Sequence, residues 1–121
     1  MMSWVYVATT IILTVYGQLI VKWQVGRAGS LPEATGAKIE FLARLVVNPW
    51  MISVLAGAFI AALAWMAAMT RLELSRAYPF VALSFALVLI GSAIFFDEAL
   101  TVAKVVGVAF ILVGLVIGSQ M

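Results

Sequence analysis

Four apolar stretches, each long enough to cross a bilayer as a helix, leave this chain little from which to build a soluble fold. They run over about 4–22, 49–69, 77–96 and 102–119. Charged residues make up 10% of the sequence and hydrophobic residues 66%, with a mean hydropathy of +1.22. A soluble domain carries about 25% charged residues. The expectation is an all-α integral membrane protein in which residues 1–121 form a single domain of four transmembrane helices. The first stretch reads as a retained span. Met1–Ser3 holds no basic residue, and the apolar run is too long for a signal peptide and lacks a small-residue cleavage site.

The first span carries a polar stripe. Tyr6, Thr10, Thr14, Gln18 and Lys22 recur every four residues, which sets them along one side of a helix. A polar face within a membrane must look at protein or water rather than lipid. The first helix is therefore expected to line a site or a pathway. Trp4 and Trp23 bracket it as interfacial anchors, placing its end near Lys22–Trp23.

The connection from Gln24 to Val47 is the one long loop. It opens with turn residues around Gly26, Gly29 and Pro32 and continues as a short amphipathic helix over about 37–47. There Ile39, Leu42 and Val46 share a face, and Glu40 and Arg44 form an i,i+4 pair. This helix either lies in the bilayer interface or packs on the bundle end. Asn48-Pro49 is a helix start, with Asn as cap and Pro at the first helical position. The short link Thr70–Arg76 predicts a tight antiparallel hairpin of the second and third spans. Pro79 falls in the first turns of the third span, where it can bend the backbone. Thr101 is placed to cap the fourth helix, and Glu98 to pair with Lys104 across the turn. Gly107, Gly114 and Gly118 make a small-residue groove on the fourth helix, suited to contact with another helix within the bundle or in a second molecule.

Lys22, Arg27, Lys38, Arg44 and Lys104 fall on one side of the membrane, Arg71 and Arg76 on the other with both termini. That bias favours the long loop in the cytoplasm, while a functional role for two of the five charges, or their place in the amphipathic helix, leaves the opposite and dual orientations open.

Catalysis finds no support. The chain has no cysteine and no histidine, and it contains no Gly-rich phosphate loop, metal-ligand spacing or nucleophile with a base. No cofactor or metal is implied. A net charge of +2 is too small to suggest nucleic acid. Transport fits the polar stripe and the edge charges better. Gln18 and Lys22, one turn apart, can hold a phosphate by hydrogen bond and charge. A lysine snorkelling to the headgroups is the plain alternative. For Thr10 and Thr14, bonding back to the helix carbonyls competes with a lining role. Arg76 sits where it can face a headgroup. Tyr78 is either a belt aromatic or a lining hydroxyl.

Three segments carry a resemblance. Thr14-Val-Tyr-Gly-Gln-Leu-Ile-Val-Lys22 resembles the first helix of short, EamA-like drug/metabolite transporter superfamily proteins. Ala77-Tyr-Pro-Phe-Val-Ala-Leu-Ser-Phe85 resembles their third helix, and Phe96–Leu100 with Gly107–Gly114 their final hairpin. Within that superfamily the chain is most similar to the small subunits of the aminoarabinose-phosphoundecaprenol flippase. The resemblance implies a multi-pass inner-membrane protein that pairs with itself or with a similar four-helix subunit. It also implies a lipid-linked sugar as substrate. Gln18, Lys22, Tyr78 and Pro79 match the family's motifs, and Gly107 and Gly114 match small-residue positions of the dimerising fourth helix in the related multidrug exporters. Small multidrug exporters have a membrane-embedded glutamate where this chain has Thr14, and no acid lies inside any span. A cationic drug would lack a buried counter-charge.

The preferred expectation is thus a transporter, a flippase or flippase subunit for a polyprenyl-phosphate-linked sugar. Thr14, Gln18, Lys22, Arg76, Tyr78 and Pro79 are its candidate substrate contacts. An exporter of small polar or cationic compounds is the alternative, with a non-transporting membrane subunit that organises a partner enzyme as a third reading.

Overall fold

The computed structural model describes residues 2–119. Helix α1 spans Met2–Ala28, α2 Thr35–Val46, α3 Pro49–Met69, α4 Leu74–Ala77, α5 Leu83–Phe96 and α6 Val102–Ser119, with a 3-10 segment over Tyr78–Ala82. Four segments are long and apolar enough to span a membrane: Met2–Ala28, Pro49–Met69, Leu74–Phe96 and Val102–Ser119.

Local chemistry sets the boundaries. Gly29 adopts φ 94°, which ends α1, and its N–H donates to the Val25 carbonyl at 3.2 Å. Pro49 opens α3, and the Asn48 side chain accepts from the Trp50 N–H at 2.9 Å. Asp97 takes the left-handed conformation at φ 52°, and the N–H groups of Asp97 and Glu98 turn back to the Ser92 carbonyl. The Thr101 hydroxyl caps α6 by accepting from the Lys104 N–H at 3.2 Å. The Lys104 ammonium donates to the Ala99 carbonyl at 3.0 Å and makes no ion pair with Glu98.

α1 is the central helix. It packs along α3 and also against α5, while α3 and α5 scarcely touch. The second and third spans are joined by a tight turn as expected, but α1 takes the place beside each that a simple hairpin would give to the other. Small residues allow this close approach. Gly17 of α1 lies against Val54, Gly57 of α3 against Leu13, and Gly91 of α5 against Leu19.

The core sits where the turn closes on α1. Val7 and Ile11 bury against Ala68 and Ala77, both of which are 0% exposed. Edge-on pairs of Trp4 with Phe80 and of Trp65 with Tyr78, at 4.9 and 6.0 Å between ring centroids, tie the 3-10 segment to α1 and α3. The bend expected at Pro79 is this 3-10 segment, which splits the third span into α4 and α5. α6 stands apart, touching only the 3-10 segment and α5 to any extent. Gly107, Gly114 and Gly118 have no atom within 4 Å of a built Cβ, so their groove is unfilled within the protomer.

In α2, Leu45 is buried and Phe41 half-buried, whereas Ile39, Leu42 and Val46 are exposed. The helix therefore packs on the bundle end by one face and presents a second apolar face outward, as a helix in the bilayer interface does. Its Glu40 and Arg44 side chains pair as expected.

Candidate functional site

The polar stripe of α1 is not one surface. A step of four residues turns about 400° around a helix, so each residue lies about 40° further round than the last. The stripe thus winds across α1, from half-buried Tyr6 and Thr10 to exposed Gln18 and Lys22. The Thr10 hydroxyl donates to the Tyr6 carbonyl at 3.0 Å and also lies 3.3 Å from the Ala61 carbonyl of α3. Thr14 donates to the Thr10 carbonyl at 2.7 Å and is half-buried. Gln18 and Lys22 are exposed.

Val7, Ile11, Thr14, Gln18 and Lys22 follow each other by four, three, four and four residues, which is a straight helical face. Near the N-terminus the turn region covers it through Ala68 and Ala77. From Thr14 to Lys22 the protomer leaves it increasingly bare. An amide and an ammonium on an uncovered membrane face call for protein or water opposite them.

The remaining expected contacts lie at the other end. Arg76 and Pro79 are exposed, and Tyr78 is 62% exposed with its ring edge-on to Trp65. Ala77 packs on Val7 and Ile11. Val7 and Lys22 are separated by about 22 Å of helix. The structure therefore brings Thr14, Gln18 and Lys22 together, and separately Arg76, Tyr78 and Pro79.

A second site escaped the sequence pattern. α1 runs past Lys22–Trp23, and its last turns meet α2 and the start of α3 around an open cavity of about 730 Å³. Gln24, Arg27, Glu40, Arg44, Asn48 and Trp50 contribute to its lining. Gln24 is only 4% exposed. Its Oε1 accepts from Asn48 Nδ2 at 3.2 Å, while its Nε2 is buried without an acceptor among the described residues. Arg27 stacks over the Trp23 ring, 5.4 Å from its centroid. Trp23 in turn meets Trp50 edge-on at 5.2 Å. Beyond Trp23 lies an apolar slot of about 380 Å³ lined by Tyr16, Leu19, Ile20, Trp23, Phe95 and Phe96. The only signal in the sequence was a lone glutamine following Trp23, and its depth depends on α2 folding back over it.

No group of His, Cys, Asp or Glu among the described residues is arranged to hold a metal.

Comparison with known proteins gives consistent relatives. The chain is 35% identical over 113 residues to a protein of Yersinia enterocolitica named a probable 4-amino-4-deoxy-L-arabinose-phosphoundecaprenol flippase subunit ArnF, covering 88% of this chain and 84% of that one. A protein of Serratia proteamaculans with the same name is 31% identical, covering 99% of this chain and 95% of that one. A probable subunit ArnE of the same flippase, from Aeromonas hydrophila, is 39% identical over 67 residues, 55% of this chain and 59% of that one. No family-wide sequence profile matches the chain. No solved structure matches it.

Proposed function

The chain belongs to the family of small 4-amino-4-deoxy-L-arabinose-phosphoundecaprenol flippase subunits, and on that premise we propose that it is one half of a dimeric transporter for a polyprenyl-phosphate-linked sugar in the inner membrane. Its relatives are named as transporter subunits, not as enzymes. The observation that carries the proposal is the face of α1 that runs from half-buried Thr14 to exposed Gln18 and Lys22. Within one protomer this face has no partner. A second four-helix subunit placed over it encloses a polar passage whose walls are protein.

The α6 glycine groove, open in the protomer, is the natural seat for that subunit. The relatives named as subunits ArnF and ArnE favour a partner that is a similar but distinct chain. In this arrangement Lys22 attracts the substrate phosphate and Gln18 donates a hydrogen bond beside it. Arg76 receives the phosphate at the opposite end of the passage, next to Tyr78 and Pro79. The polyprenyl tail stays in the bilayer throughout. Drug export by proton exchange is disfavoured because Thr14 offers no carboxylate within the span.

The test is native mass spectrometry of the protein extracted gently from its own membrane, with identification of bound lipid. The proposal expects a two-subunit assembly carrying a polyprenyl-phosphate sugar, with the lipid lost in Lys22→Ala. A two-subunit assembly that holds only bulk phospholipid and is unchanged by that substitution would refute the role of Lys22.

A further inference from the structure

The geometry points to the cavity between the end of α1, α2 and the start of α3 as a binding site for the phosphate of a membrane lipid headgroup, held by Gln24, Arg27 and Arg44.

The hydrogen-bond network decides the sign of the ligand. The Trp50 N–H donates to Asn48 Oδ1, which fixes the orientation of the Asn48 amide. Asn48 Nδ2 must then point at Gln24, so the Gln24 atom facing it is the oxygen. The buried atom left over is therefore Nε2, a donor. A ligand that reaches this donor must offer it an acceptor, which a cation does not. Arg27 and Arg44 line the same cavity. Arg27 has no acidic partner among the described residues, and its guanidinium is steadied by the Trp23 ring. Arg44 is held by Glu40, leaving part of its five-donor fork available. Glu40 also lines the cavity and is paired by Arg44, so the lining keeps one net positive charge, which with the Gln24 amide donor suits a phosphate.

Position selects a lipid over a free anion. The cavity lies at the ends of two spans, where headgroups reside, under a helix whose outer face is apolar. Trp50 lines the cavity and meets Trp23 edge-on, and Trp23 lines the adjoining apolar slot with Phe95 and Phe96. A polar cavity next to an apolar slot matches a phosphate joined to a hydrocarbon chain.

The experiment titrates the purified protein in neutral detergent with short-chain dihexanoyl phosphatidic acid and reads tryptophan fluorescence. Dihexanoyl phosphatidylcholine and inorganic phosphate are run in parallel. The expected result is saturable binding of the phosphatidic acid alone, weakened about tenfold in both Gln24→Glu and Arg27→Gln. Gln24→Glu keeps the side-chain shape and the bond from Asn48 while turning the free donor into an acceptor. Arg27→Gln changes an exposed side chain, so one variant keeps its fold whatever befalls the other, and far-UV circular dichroism checks both. Wild-type binding that is absent, or unchanged in both variants, overturns the proposal. Equal binding of inorganic phosphate overturns the lipid assignment, and equal binding of the zwitterionic phosphatidylcholine overturns the claim that the two arginines and the Gln24 amide select an anionic phosphate. Transport is not read in this assay, so its outcome is separate from that of the proposed function.

Discussion

Asn48 joins two structural tasks that substitution can separate. Its Oδ1 caps α3 through the Trp50 N–H, and its Nδ2 satisfies the buried Oε1 of Gln24. Asn48→Ala removes both. Loss of the cap costs about 1 kcal/mol. A buried amide oxygen deprived of its donor costs a further 1–3 kcal/mol or so. The sum is about 2–4 kcal/mol of unfolding free energy. Asn48→Asp behaves differently. The carboxylate still caps the helix and favours its N-terminal dipole. The Gln24 amide can rotate to offer Nε2 to the carboxylate, which leaves its oxygen towards the open cavity. The expected cost is below about 1 kcal/mol. Unfolding in mixed micelles by increasing sodium dodecyl sulfate, followed by far-UV circular dichroism, measures both. The reasoning is refuted if Asn48→Ala lies within about 0.5 kcal/mol of wild type, or if Asp is as costly as Ala.

Three further outcomes follow from the packing. Gly91→Leu should destabilise the protein by about 1–3 kcal/mol in the same unfolding assay, because a Cβ there already meets Leu19 Cδ1 at 3.0 Å; adding Leu19→Ala should restore most of the loss. Thr10→Val should cost only about 0.6 kcal/mol, the usual worth of an interhelical hydrogen bond in a membrane, and should leave lipid retention in native mass spectrometry unchanged. Gly114→Leu should leave unfolding unchanged, since nothing lies within 4 Å of its Cβ, yet shift the two-subunit assembly to single chains in that same measurement.

The spans were legible because each is a long apolar run, a property of composition and length alone. The cap at Asn48, the proline start of α3 and the Thr101 cap were legible because capping is local chemistry. The central place of α1 was not. It depends on which small residues meet which large ones, such as Gly91 with Leu19 and Gly57 with Leu13, and a single sequence does not pair them. The polar stripe was legible as a period of four, but its division into a half-buried and a bare half comes from the turn, which covers Val7 and Ile11 and leaves the same face open further along α1 at Gln18 and Lys22. The expected pairing of Glu98 with Lys104 gave way to a closer acceptor, the Ala99 carbonyl. The Gln24 cavity was hidden because Gln24 lay beyond the expected end of the first helix. Only the extra turns to Ala28, stopped by Gly29, bring it beneath α2.

The central claim is that the Thr14–Gln18–Lys22 face looks into a wet passage between subunits rather than into lipid. The chain has no cysteine, so a single introduced thiol reports cleanly on its surroundings. Thiols react as thiolates, which form in water and not in hydrocarbon. In native membranes, Gln18→Cys should react with a charged, water-soluble maleimide, whereas Ile12→Cys, exposed about 120° around α1 from Gln18, should not. Equal inertness of the two positions would place Gln18 in lipid and contradict the account.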